Sequence, residues 1–146
     1  FALNADVAVV KDAAKLAGAY AEATAPKISV ITGKAFGPAY IALGSKNANA
    51  DVTLAWPQAV ISTLAPETAV EFLWEDRFKG TEDVKATRAA LLEEYEDTVA
   101  SPFAAAESGA VEAVVAPEET RKNIINMLDM LAGKRESTLP KKHTTF

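Results

Sequence analysis

Apolar positions recur at intervals of three and four along the first part of the chain. Val10, Ala13, Ala14, Ala17 and Ala21 form a stripe that predicts a helix running to about Thr24, capped by Asn4 or Asp6 and closed by Pro26. The stripe is almost wholly alanine, so this helix is expected to pack close to its neighbour. The pattern then changes to alternation. Residues 27–32, KISVIT, are rich in β-branched side chains and predict a strand. Gly33 and Gly37 bracket a predicted turn, where glycine admits positive φ or a close backbone approach. Pro38 suits a helix start, because its missing N–H would be unpaired there, and residues 39–43 continue apolar into that helix.

A polar loop, 46–49, leads to a second predicted strand, 51–56, which Pro57 stops, and a short third one at 59–63. Pro66 opens a helix whose expected buried side is Ala69, Val70, Phe72, Leu73 and Trp74. Residues 75–80 are charged, end in glycine and read as a turn. Residues 81–83, Thr-Glu-Asp, predict the start of a long helix with acidic side chains in its first turn, with Ala89, Leu92, Tyr95 and Val99 facing inward and a solvated charged face outward. Pro102 restarts a short helix, 103–107, closed by Gly109. Residues 111–115 predict a strand covered on both faces. The last helix opens at Pro117, carries Ile124, Ile125, Leu128 and Leu131 as its stripe, and ends at Gly133. Residues 134–146 are a basic, polar tail that reads as a frayed terminus. Strands alternating with helices point to an α/β layered domain.

Composition narrows the chemistry. At 146 residues and 49% hydrophobic content the chain has material for one core and is not a disordered polypeptide. A net charge of −5 argues against nucleic acid or an anionic membrane as partner. Without cysteine there is no disulfide framework and no thiolate nucleophile. The single histidine, His143, lies in the tail, so no His-rich metal centre is expected. No apolar run is long enough to cross a bilayer, and no signal peptide is visible, which makes the cytoplasm the expected location. The chain opens at Phe1 rather than Met, as expected of a chain that starts inside a domain.

The strand–glycine turn–helix stretch, 27–45, is the candidate site. A strand feeding a helix N-terminus leaves backbone N–H groups unbonded and aimed at one region, which favours negative charge and could form an oxyanion hole. Such units also occur throughout α/β domains with no catalytic role. Lys34 and Lys46 are candidates to meet phosphates, although a lone lysine is ordinarily surface.

The segments GKAFGPAY, GSK and ADVTLAWP, followed by SPFAAAESGAVEAVVAPEETR and LDMLAGKRESTLPKKH, occur here in one order. In that order they resemble the C-terminal part of the carboxyltransferase subunit of biotin-dependent acyl-CoA carboxylases and decarboxylases. Propionyl-CoA carboxylase β-type and methylmalonyl-CoA decarboxylase α-type chains are the nearest in kind. The resemblance runs from about Ala13 to His143. It implies a crotonase-like (ClpP/crotonase) α/β fold of ββα units, here as an incomplete domain, with residues 1–133 the C-terminal part of the carboxyltransferase C-domain and 134–146 its tail.

The resemblance also implies a function: carboxyl transfer between carboxybiotin, borne on a carrier protein or domain, and a short acyl-CoA. Backbone N–H groups of the 37–40 turn would stabilise the ureido oxyanion of biotin, and no side-chain acid or base would be required. The family pattern is Gly-Gly-Ala-Tyr or Gly-Ala-Ala-Tyr, where this chain has Gly37-Pro38-Ala39-Tyr40. Proline carries no N–H, so one expected donor is absent; Ala39 keeps its own, and Gly37 or Tyr40 stands as the substitute. Phe36, Ile41 and Trp56 are the implied substrate-binding residues, with Ile41 at the position that tunes acyl-chain preference. The implied partners are acyl-CoA, the biotin carboxyl carrier protein, the N-terminal carboxyltransferase half and further copies of the chain, with no metal and no membrane insertion. Another crotonase-type acyl-CoA activity, or a non-catalytic assembly module, are the alternatives.

Overall fold

The computed structural model describes residues 7–81 and 83–134. After helix α1 (Val7–Glu22), the chain follows the same course twice. Strand β1 (Ile28–Ile31) leads to β2 (Lys34–Phe36) and helix α2 (Gly37–Ala42); strand β3 (Val52–Ala55) leads to β4 (Val60–Ser62) and helix α3 (Pro66–Leu73). A 3-10 turn (Glu75–Phe78) then joins α3 to α4 (Val84–Thr98) and α5 (Pro102–Glu107), and a third pass begins with β5 (Ala113–Val114), a 3-10 turn and α6 (Thr120–Leu131).

Corresponding strands of successive passes lie side by side, so every strand pairing among the described residues is parallel. One sheet has the order β1-β3-β5, with Ile28 opposite Val52 and Leu54 opposite Ala113. The second is β2-β4, with Lys34 opposite Val60 and Phe36 opposite Ser62. β3 is central and all four of its residues are buried, the polar Thr53 included. The apolar interior falls into three clusters. One lies around Ile31, Ala55 and Ile61; one joins α3 to α4 through Val70, Leu91 and Tyr95; one sets β3 against α6 through Leu54 and Ile124, with Val115 beside them.

Several expectations need correction. Residues 34–36 are a strand rather than part of a turn, because their backbone pairs with β4. Only Gly37 of the two bracketing glycines takes positive φ, at 65°. The strand expected over 111–115 is reduced to Ala113–Val114, where its backbone meets the last two residues of β3. Residues 75–78 form a 3-10 turn, and α4 begins at Val84, with the Asp83 carboxylate accepting from the N–H groups of Lys85 and Ala86 at 3.0 Å.

Helix faces also differ. Phe72 and Leu73 of α3 are 76% and 57% exposed, and the buried side is Ala69 and Val70. In α4 the inward residues are Leu91 and Tyr95, whereas Ala89 and Val99 are exposed. On α6, Ile124, Met127 and Leu131 turn toward the sheet, while Ile125 and Leu128 do not. The exposed Val10, Ala14 and Ala21 likewise place much of the α1 stripe outside this chain's core. Asn4, Asp6, Glu82, His143 and the tail beyond Lys134 lie outside the described residues.

Candidate active site

The 37–41 turn is built by the junction of β2 with α2. Gly37 reaches φ 65°, and its N–H donates to the Thr63 carbonyl just beyond β4 at 3.2 Å. No neighbouring atom lies within 4 Å of where a Cβ would sit, so the backbone angle, not crowding, calls for glycine. Phe36 is the N-cap of α2 and offers no side-chain acceptor. The N–H groups of a helix's first turn have no intrahelical acceptor. In this first turn Gly37 is bonded to Thr63, Pro38 has no N–H, and Ala39 retains its donor; Tyr40 is where the intrahelical ladder begins. The turn therefore does not offer a symmetric pair of donors.

Two cavities meet at this turn. The first, of about 490 Å³, is bordered by Gly37, Tyr40 and Ile41, by Ser62 and Thr63, and by Tyr95, Val99, Ala104, Ala105 and Ser108 from α4 and α5 and the loops after them. No described side chain on its border carries a formal charge at neutral pH; the polar groups are hydroxyls and the amide of Asn47. The second, of about 610 Å³, runs along β1 and β2 and is bordered by Phe36, Ala39, Tyr40 and Lys34. Tyr40 is the wall between them. Burial raises its phenol pKa above the ordinary value.

The expected site residues are thus divided. Gly37, Tyr40 and Ile41 share the first cavity, with Ile41 56% exposed. Phe36 and Ala39 border the second. Trp56 borders neither: its ring packs with the β3–α6 cluster and its Nε1 donates to Thr120 Oγ1 at 2.8 Å, which makes it a tie between β3 and α6. Lys46 is also committed elsewhere. It pairs with Glu112 and donates to the Asp51 carbonyl at 2.9 Å, while the other oxygen of Glu112 accepts the Thr53 N–H at 2.6 Å. Lys34 is exposed at the second cavity.

Ser62, Thr63 and Tyr95 were not legible as site residues. Tyr95 follows the helical spacing of a core stripe, and its ring does pack edge-on to Trp74 with centroids 5.5 Å apart. Its hydroxyl, however, meets Ser62 Oγ at 2.9 Å beside the first cavity. A phenol within an otherwise aliphatic stripe is the one signal the sequence held.

Comparison with known proteins agrees with this architecture. The family model described as the carboxyl transferase domain matches residues 6–146. The propionyl-CoA carboxylase β chain of Saccharopolyspora erythraea is 45% identical over 92% of this chain and 26% of its own length. The methylmalonyl-CoA decarboxylase α subunit of Propionigenium modestum is 42% identical, with the same two coverages. Among solved structures, transcarboxylase 12S, a hexamer crystallised with methylmalonyl-coenzyme A and methylmalonic acid bound, superposes with a TM-score of 0.83 at 38% identity over 92% of this chain and 26% of that one. The β subunit of Pseudomonas aeruginosa geranyl-CoA carboxylase shares the fold, with a TM-score of 0.68 at 18% identity. The chain spans about a quarter of the length of the curated relatives it matches. A family match along almost the whole chain, with relatives above 40% identity, establishes that the chain belongs to the carboxyl transferase domain family.

Proposed function

We propose that this chain is the C-terminal part of the second, crotonase-like domain of a cytoplasmic biotin-dependent acyl-CoA carboxyltransferase. In this reading residues 1–133 belong to that domain, 134–146 form its tail, and a partner half completes the acyl-CoA site. The carrying observation is the family match over residues 6–146. The chemistry of the first cavity supports it. A cleft of about 490 Å³ with hydroxyls, one amide and no formal charge suits a neutral, hydrogen-bonding ring such as the cyclic urea of biotin.

When bound, carboxybiotin would supply the carboxyl group and, after its release, the nitrogen that accepts the acyl-CoA α-proton. The chain's part is to hold and to polarise. The donor of the turn assigned to the ureido oxygen is the N–H of Ala39, which borders the second cavity, so in this reading the urea oxygen sits at the turn where the two cavities meet; a preorganised donor of this kind contributes about 3 kcal/mol to the transition state. Tyr40 separates the two cavities, and Ile41, exposed at the first, is assigned to the acyl end. None of these roles requires a side chain to change protonation state.

The test is transfer of isotopically labelled carboxyl between free biotin and a short acyl-CoA by the assembled enzyme. Transfer that depends on both substrates is expected. An assembled enzyme that binds neither biotin nor acyl-CoA would leave only a supporting role for this domain.

A further inference from the structure

The hydroxyls of Ser62 and Tyr95 hold two protons and share one hydrogen bond, of 2.9 Å. Either hydroxyl could donate in this bond; a phenol is the stronger acid and an aliphatic hydroxyl the better acceptor, and on that chemistry the donor is assigned as the Tyr95 O–H. The proton of Ser62 then has no acceptor among the described residues. Both residues border the cleft that Gly37, Tyr40 and Ile41 also border. The pair is stiffly mounted: the Tyr95 ring is 4% exposed and held edge-on by Trp74. Ser62 is tied to the turn on two sides. It stands opposite Phe36 in the β2–β4 register, and the carbonyl of its neighbour Thr63 holds the Gly37 N–H.

We propose that Ser62 is a ligand-binding residue of this cleft, donating its hydroxyl proton to a carbonyl-type oxygen of the bound group, and that Tyr95 is the positioning residue that orients it. Resting on the biotin reading above, the group is the cyclic urea, which has a neutral oxygen acceptor of the right kind. Among the hydroxyls and the one amide on the border of the cleft, that of Ser62 is held in place by Tyr95, and a site that hydrogen-bonds an oxygen of its ligand discriminates against ligands that lack it.

The experiment is steady-state carboxyl transfer by the assembled enzyme with free biotin as the probe. Ser62→Ala removes the donor and is expected to raise the KM for biotin about three- to tenfold, the loss of one neutral hydrogen bond. The kcat falls as well, because charge grows on the ureido oxygen in the transition state, while the KM for acyl-CoA stays unchanged. Ser62→Thr keeps the hydroxyl and restores the wild-type KM; Tyr95→Phe keeps the ring against Trp74 and gives a smaller rise in the same parameter. A wild-type KM for biotin in Ser62→Ala, or an equal rise in both KM values, overturns the assignment. A wild-type enzyme that transfers no carboxyl to or from biotin overturns the underlying reading and this assignment with it.

Discussion

Pro38 sits in the first turn of α2, where any other residue would add a backbone N–H. The Gly37 donor beside it is already bonded to Thr63, so the turn depends on Ala39. Pro38→Gly in the assembled enzyme is therefore expected to keep or raise carboxyl transfer. It should lower stability by about 0.4–1 kcal/mol, because glycine frees the unfolded chain. A large loss of transfer with the fold intact would mean that proline holds a different turn geometry. Thr53 presents the opposite case. It is fully buried in β3, and its Oγ1 has no hydrogen-bond partner. Thr53→Val keeps the shape and removes the unsatisfied atom, so stability should rise by about 1 kcal/mol. A denaturant midpoint that does not move upward would indicate a buried water on that oxygen.

At the scale of elements, the strands and helices were legible wherever local pattern and punctuation agreed. Pro66 opens α3 and Ser101 caps α5, its Oγ accepting from Ala104 N–H at 3.2 Å. What periodicity could not rank was which apolar residue of a helix the rest of the chain would cover. Phe72 is as apolar as Val70, yet only Val70 meets α4. Nor does local sequence reveal a three-residue strand such as β2, whose partner β4 lies beyond helix α2, a loop and strand β3. The candidate turn was legible from its glycines and proline, whereas Ser62 and Tyr95 were not, because their meeting is tertiary.

Asp51 shows the same kind of tertiary tie at the end of α6. Its carboxylate takes Lys134 Nζ at 2.8 and 2.9 Å and the Lys27 N–H at 2.7 Å, joining the segment after α6 to the starts of β1 and β3. Burial alone would raise its pKa, but these hydrogen bonds and the positive charges of Lys134 and Lys27 outweigh it and hold the carboxyl below its ordinary value. A lowered folded pKa gives stability that is fully present above the unfolded carboxyl value, about 3.9, and is lost as pH falls through the folded one. Asp51→Asn should thus cost about 1–2 kcal/mol at pH 7, and the difference from wild type should close in strong acid. A pH-independent difference in denaturation would assign the effect to packing.

For the molecule as a whole, exposed apolar side chains on several elements set the expectation. Phe72 and Leu73 are neighbours on α3, and they, Phe103 and Met130 are all more than half exposed, apolar surface that a neighbouring subunit would cover. The isolated 146-residue chain should self-associate, to a dimer at least, and should show no carboxyl transfer until the partner half is supplied. Light scattering and the transfer assay check this together, and a monodisperse, active monomer would contradict it. The parallel pairing of both sheets also sets a timetable. Without a hairpin among these strands, Ile28 must wait for Val52, and Leu54 must wait for Ala113. Loops of that length close slowly and carry their entropy cost before any ladder forms. The first cavity draws on residues from Gly37 to Ala110. On a ribosome adding roughly 5–20 residues per second, the glycine turn is out for seconds before the residues opposite it exist, so the cleft comes into being only after α5 has been made.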